Sequence, residues 1–246
     1  MSDDEAKPPR LTVVLPVFNE RQSLEGALVR YRQALTGLGL ADAELLVVDD
    51  GSHDGTAELA EALAAAWPAN GAPRLRVLRH EKNRGQVAAL RTGFAAARGE
   101  VVTHNGIDLP FAPERTAEAL APFTDGAEVV VVERENRGAN GAWRAVVSWG
   151  NVLAWKLLFA SPFADHNFVQ LFRREVLASL PVVSSGVNTV TAELLLRAAR
   201  AGRRVVRISA PYEERRAGKS SIRPRAVVRA VAEVVRLRLR FHRVPK

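Results

Sequence analysis

Three observations predict an α/β domain with a Rossmann-like, mostly parallel sheet flanked by helices. Short β-branched apolar runs alternate with longer stretches of helical period. Each early strand ends in a cluster of polar turn residues, and in a doubly wound sheet the carboxyl ends of the strands are where ligands bind. The chain has 246 residues, 47% hydrophobic and 25% charged, which suffices for one core and is short for several domains.

The elements follow in order. Leu11 to Phe18 is too short and too β-branched for a helix, and after Asn19-Glu20 an amphipathic stretch runs to about Leu35. Glu44 to Val48 is the second strand; Asp49-Asp50-Gly51-Ser52 is its turn, and Asp54-Gly55-Thr56 opens an Ala-rich helix to about Trp67. A strand at Leu75–Leu78, a helix at Gln86–Ala97 and a strand at Glu100–Thr103 continue the rhythm. It then loosens into a helix Pro113–Leu120, a strand Glu128–Val132, a helical stretch Glu193–Ala201, a strand Arg204–Ile208 and a loop Glu213–Ser221. The apolar run Ala145–Ala164 is interrupted by Lys156, Gly150, Asn151 and Pro162, so it reads as an interfacial or core helix rather than a membrane span.

The sequence has no cysteine, which excludes disulfides, thiolate metal sites and cysteine nucleophiles. The net charge of +8 is unevenly spread: residues 1–199 carry −4 and residues 200–246 carry +12. A slightly acidic body with a basic tail calls for an anionic surface beside the C-terminus. The acidic, Pro-containing start shows no apolar signal region, giving an expectation of a cytoplasmic protein. The expected division is a flexible N-terminus over 1–10, one domain over 11–221 and a basic amphipathic helix over 222–246.

Asp49 and Asp50 follow a buried-type strand, where carboxylates can accept hydrogen bonds from the NH and OH groups of a nucleoside. Ordinary turn chemistry explains the same residues equally well. There is no Gly-x-Gly-x-x-Gly and no Gly-Lys-Ser/Thr loop, which argues against a dinucleotide enzyme or an NTPase.

The succession Val13-Val-Leu-Pro-Val-Phe-Asn-Glu20, Val47-Val-Asp-Asp-Gly-Ser-His-Asp-Gly-Thr56, Asn83-Arg-Gly85 and Asp108-Leu-Pro-x-x-Pro-Glu114 resembles the family-two glycosyltransferases with the A-type nucleotide-sugar fold. Within them it is most similar to the dolichyl-phosphate mannosyltransferase branch, from about Leu11 to Ser221. The resemblance implies an inverting glycosyltransferase that moves a hexose, mannose or glucose, from a GDP- or UDP-sugar to a polyprenyl phosphate. It implies that Pro16, Phe18, Glu20, Asp49 and Asp50 line the nucleotide pocket. Arg134 matches a phosphate contact, and Arg215, in Arg215-Arg-Ala-Gly-Lys-Ser220, matches a loop that closes over the phosphates; the loop's next basic position is Ser221 here, which leaves its part to Lys219 or Arg223. Glu193 matches an acidic position facing the acceptor, and Asp165, more loosely, a second one.

The resemblance also implies an Asp-x-Asp metal motif after the fourth strand. Here Gly106-Ile107-Asp108-Leu109-Pro110 retains only Asp108, with His104 and Asn105 just upstream. Mg²⁺ and Mn²⁺ take hard oxygen ligands, and one carboxylate makes a weaker site than two.

At about 100° per residue, a helix from Pro224 places Arg225, Arg229, Arg236, Arg240 and Arg243 on one face and Val227, Val231, Val234, Leu237 and Phe241 opposite. Such a helix either lies on an anionic bilayer, with about 1 kcal/mol per Arg, or docks on the domain. The acidic body offers no second basic surface, so nucleic acid is not an expected partner. The expected location is peripheral, on the inner face of the plasma membrane, and a homo-oligomer stays open. Two alternatives remain: a hydroxyl acceptor with Glu193 or Asp165 as base, and a catalytically silent nucleotide-sugar binder.

Overall fold

The computed structural model describes residues 7–135, 142–211 and 224–241. The first four strands, β1 (Leu11–Val17), β2 (Glu44–Asp49), β3 (Arg74–Arg79) and β4 (Val101–His104), alternate with α1 (Arg21–Gly37), α2 (Thr56–Ala65) and α3 (Gln86–Ala96). A 3₁₀ turn at Pro113–Arg115 leads into α4 (Thr116–Thr124), then β5 (Val129–Arg134) and α5 (Ala142–Phe159). The remainder is β6 (Gln170–Arg173), α6 (Arg174–Ser179), α7 (Val187–Arg200), β7 (Val205–Ala210) and α8 (Pro224–Phe241).

One seven-stranded sheet has the order β3-β2-β1-β4-β6-β5-β7, with only β6 antiparallel to its neighbours. Six strands therefore point the same way, and their carboxyl ends open on one side of the sheet. Because β7 is parallel to β5 and follows α7 through a short turn, the N-terminus of α7 opens on that side too.

The pleat divides the core. Leu11, Val13, Leu15 and Val17 face Leu24, Leu28, Leu35, Ala60 and Phe123 of α1, α2 and α4. Val14, Leu46, Val48 and Val102 face Val87, Leu90, Val176, Leu194 and Leu195 of α3, α6 and α7. At the opposite end of the sheet, the buried Glu44 carboxylate accepts hydrogen bonds from the Thr12 hydroxyl (2.6 Å) and the Arg98 amide (3.1 Å) and pairs with Arg76.

Several elements differ from the sequence expectation, among them helix α6, for which no element was expected. Helix α7 starts at Val187 rather than Glu193, because burial of Val190, Leu194 and Leu195 overrides the poor helix propensity of its β-branched start. Helix α4 continues past Leu120 to Thr124 and accommodates Pro122 in its last turn. Residues 165–172, assigned no element from sequence, end in the antiparallel strand β6.

The run Ala145–Ala164 contains α5, and no helix among the described residues is long and apolar enough to cross a membrane. The tail helix docks on the body. Val234, Leu237 and Phe241 pack with Trp155 and Phe159 of α5 and with Ala192 and Leu196 of α7. The Arg197 and Arg200 guanidinium groups sit 4.5 and 4.6 Å from the centre of the Phe241 ring. Val231, expected on the same face, is 54% exposed instead, and Val235 and Leu239 are exposed too, at 44% and 67%. The apolar arc of α8 spans about 200° at roughly 100° per residue, so one half packs and the other faces outward.

Candidate active site

The loops after β1 and β2 are hydrogen-bonded into one plate at the carboxyl end of the sheet. Asn19, at φ 56°, donates its amide to Ser52 Oγ (2.9 Å), and its side-chain oxygen accepts from the His53 amide (2.9 Å). The Glu20 amide donates to Thr56 Oγ1 (3.0 Å), and Asp54 accepts from the Arg21 and Thr56 amides. The Thr56 hydroxyl, then these amides, hold the Asp54 carboxyl below its ordinary range. Phe18, 40% exposed, stands on this plate with its edge toward His53, and Pro16 and Glu20 are half-buried beside it. An exposed aromatic on a rigid support can stack on a planar base.

The two adjacent acids have different surroundings. Asp49 is fully buried; its Oδ2 accepts from the Gly51 and Ser52 amides (3.1 and 3.0 Å), while its Oδ1 has no hydrogen-bond partner. Gly51 is required at this turn: its φ is +73°, and a Cβ would lie 2.4 Å from the Lys82 carbonyl carbon. Asp50 holds the next loop, accepting from the Arg84 and Gly85 amides (3.0 and 2.7 Å) and contacting His80 Nδ1 (2.8 Å). His80 Nε2 in turn meets Thr92 Oγ1 at 2.9 Å. Asp50, expected to hold the nucleoside, has both oxygens engaged and is a positioning residue for the Asn83-Arg84-Gly85 turn. Asp49 carries the unmet acceptor.

After β4, Asn105 Nδ2 donates to the buried Tyr31 hydroxyl (2.7 Å) and the Phe111 carbonyl (2.8 Å), clipping the loop that carries Asp108. Burial pushes the Tyr31 hydroxyl pKa up. The loop holds Leu109 at φ 54°, a conformation that costs a non-glycine residue energy. His104 stacks on Phe94 at 6.0 Å with Nε2 buried and unpartnered, and desolvation lowers its pKa. Its unfolded form binds a proton below about pH 6.5 while the folded form stays neutral, so stability rises with pH in the window just below that value. Acidification from pH 7 to 5 should lower the melting temperature, and His104→Phe should flatten part of that fall; an unchanged pH profile would contradict this account.

The residues here do not fit a two-carboxylate metal site. Among the described residues no group of three His, Asp or Glu side chains converges on a common point. At Gly106, where the family motif has its first carboxylate, a Cβ would lie 2.2 Å from Asp108 Oδ1. Asn105 is committed to the loop clip and the His104 Nε2 atom is buried, so neither completes a donor set. Gly106→Asp should shift the adjacent Asp108 carboxylate and create the missing pair, raising apparent Mn²⁺ affinity by about tenfold or more, as read by titration; unchanged affinity would show that the two positions do not converge.

The remaining expected residues are engaged with one another. Arg134, at the end of β5, pairs with the buried Asp165 (Nε to Oδ2, 2.5 Å), and its guanidinium lies 5.6 Å from the Phe168 ring centre. Glu193 is buried, accepts from the Val183 and Ser184 amides (3.1 and 2.7 Å) and pairs with Arg197 (2.7 Å). Neither Asp165 nor Glu193 is placed as a base for an acceptor hydroxyl. Arg215 and Lys219 lie outside the described residues. The sheet thus gathers Pro16, Phe18, Glu20, Asp49, Asp50, Asp108 and Arg134 at one end. His80 was missed in the sequence, although it is the polar residue directly after β3 and the same rule finds it.

Residues 12–180 match the family model described as glycosyl transferase family 2. The chain is 25% identical over 235 residues to the dolichol-phosphate mannosyltransferase of Pyrococcus furiosus, covering 93% of this chain and 63% of that protein. It is 39% identical over 134 residues to the undecaprenyl-phosphate 4-deoxy-4-formamido-L-arabinose transferase of Pseudomonas paraeruginosa, covering 54% of this chain and 38% of the relative. The chain therefore spans less than two thirds of these relatives. Among solved structures, a mannosyltransferase from Pyrobaculum calidifontis in complex with GDP-Man and Mn²⁺ superposes with a TM-score of 0.67 at 24% identity, covering 98% of this chain and 66% of that one, and shares the fold. With the family model matched from β1 through the loop after α6, the chain belongs to glycosyl transferase family 2.

Proposed function

We propose that this protein is an inverting transferase that moves a hexose, mannose or glucose, from a GDP- or UDP-sugar to a polyprenyl phosphate. The observation that carries the donor side is the plate itself: an exposed aromatic, Phe18, on loops hydrogen-bonded to each other at the carboxyl ends of β1 and β2. Phe18 stacks on the base, and the Asp49-Asp50 turn fixes the loops that carry it. The acceptor side is supported by the two relatives named for polyprenyl-phosphate chemistry. An acceptor phosphate is already an anion, so its oxygen attacks the anomeric carbon without a base as the bond to the diphosphate breaks. This suits a site whose carboxylates Asp165 and Glu193 are both engaged.

The departing diphosphate gains negative charge, which fixed cations stabilise. Arg215 and Lys219 carry that role on the family resemblance, as does the partly exposed Arg134 at the end of β5. Asp108 is assigned to the sugar-diphosphate end because its loop follows β4 at the same end of the sheet. The loop's donor set gives no step that runs through a metal.

Membrane contact completes this reading. Helices α5 and α8 pack against each other and leave Leu153, Leu157, Val231, Val235 and Leu239 exposed next to the arginines of α8. An apolar strip bordered by cations suits an anionic bilayer surface. The double variant Leu157→Asp/Leu239→Asp should keep its melting temperature and lose about tenfold or more of its binding to anionic vesicles; unchanged vesicle binding would contradict this surface.

The test is transfer of labelled sugar from a panel of GDP- and UDP-sugars into the organic phase with a short polyprenyl phosphate, with Mg²⁺, Mn²⁺ or EDTA. Label in the lipid supports the reading. Donor binding without transfer under any condition would favour a silent binder, the reading that Gly106 and Pro110 favour.

A further inference from the structure

A small open-mouthed cavity of about 80 Å³ lies between the start of α7 and the flank of α8, outside the donor plate. Ser184, Ser185 and Thr189 line one wall, and Glu233, Arg236 and Arg240 the other. We propose that it is a second anion subsite, which takes the phosphate of a phosphomonoester.

Four observations converge on it. First, Ser184 is 6% exposed and its Oγ has no hydrogen-bond partner. Its backbone is fixed on both sides, with the amide donating to Glu193 Oε2 (2.7 Å) and the carbonyl accepting from Arg91 (2.6 Å). A rigidly held hydroxyl without a protein partner is rare, and on an open cavity it is met by what fills the cavity, water or a bound group that displaces it. Second, the 14-residue helix α7 begins here at Gly186 without a side-chain cap, so its first-turn amides and dipole favour an anion. Third, Arg236 and Arg240, one turn apart on α8, bring two guanidinium groups to the rim. Fourth, the Glu233 carboxylate is held against Gly186: a Cβ there would lie 2.1 Å from Oε2, and that oxygen is itself buried without a partner. Glu233 thus sits at the uncapped helix end, where the incoming anion would displace it.

The cavity opens on the same side of the sheet as the donor loops, since α7 starts at the carboxyl end. On the transferase reading, on which this step rests, its phosphate is that of the acceptor. The anion site itself does not depend on that reading.

The experiment is calorimetric titration of the full chain with inorganic phosphate and, separately, with farnesyl phosphate, using Ser184→Ala, Arg236→Ala/Arg240→Ala and Glu233→Gln, with nucleoside diphosphate as a control. Phosphate affinity should fall about tenfold or more in the double arginine variant and severalfold in Ser184→Ala, and it should rise in Glu233→Gln, which removes a like charge. Nucleoside diphosphate affinity should not change in any of them. Equal phosphate affinity across all variants, or weaker binding in Glu233→Gln, would overturn the site. If this pattern appears with inorganic phosphate while farnesyl phosphate neither binds nor accepts sugar, the anion site stands and the acceptor assignment falls.

Discussion

Glu193→Ala should destabilise the protein by about 3–5 kcal/mol and lower its melting temperature by roughly 6–20 °C for a chain of this size. The carboxylate is fully buried, and its loss leaves the Arg197 guanidinium, only 9% exposed, without its ion-pair partner. It also releases the Val183 and Ser184 amides that fix the loop before α7. Glu193→Gln keeps an acceptor oxygen for those amides and should retain more than half of the lost stability. The same pair of variants separates positioning from catalysis. A residue acting as base would lose transfer in Glu193→Gln with stability intact; a positioning residue keeps most of its transfer wherever the variant is folded. Complete loss of transfer in a stable Glu193→Gln would therefore overturn this assignment.

Asp50→Ala is the second large effect. It removes the acceptor of the Arg84 and Gly85 amides and the partner of His80 at once. Each buried polar group left unsatisfied costs about 1–3 kcal/mol, so stability should fall by several kcal/mol and the turn into α3 should loosen. Donor affinity should fall as well, through that turn rather than through a lost direct contact. Asp50→Asn retains one acceptor oxygen and should lie between the two proteins in both stability and affinity. Phe18→Ala supplies the contrast: it should weaken donor binding by about tenfold through lost stacking, with the melting temperature nearly unchanged because the ring is exposed. Denaturation curves and donor titrations on the three variants check the pattern; a stable Asp50→Ala with normal donor binding would contradict it.

The fold was legible wherever local pattern and tertiary burial agree. The strands from Leu11 to Thr103 are β-branched runs ending in turn chemistry, and the structure places them with shifts of one or two residues. The start of α7 was not legible, because Val187-Asn-Thr-Val-Thr191 has poor helix propensity and is helical only through what Val190 and its neighbours bury. Strand β6 was likewise hidden: four residues in antiparallel pairing between two parallel partners carry no local period of their own.

At the site, the sequence placed Asp49 and Asp50 in the turn after β2 but could not distinguish their surroundings. Which oxygen is unmet depends on where the 80–85 loop falls, and that is a tertiary fact. Arg134 and Asp165 looked like independent functional candidates because ion-pair partners 31 residues apart leave no trace in sequence, whereas Glu193 and Arg197 lie four residues apart on one helix and their pairing was open to a sequence reading. The basic tail gave the opposite difficulty. Its apolar arc was evident, and only the structure shows that Val234 packs inward while Val231 and Val235 face out.

The most direct test of the account is the structure of the reaction product: incubate the full chain with an α-linked nucleotide-sugar and a short polyprenyl phosphate, and read the linkage and anomeric configuration by phosphorus and proton NMR. The account predicts a β-linked sugar on an intact prenyl phosphodiester, formed with release of the nucleoside diphosphate. An α-linked product, or sugar appearing only on water or on an alcohol, would contradict it.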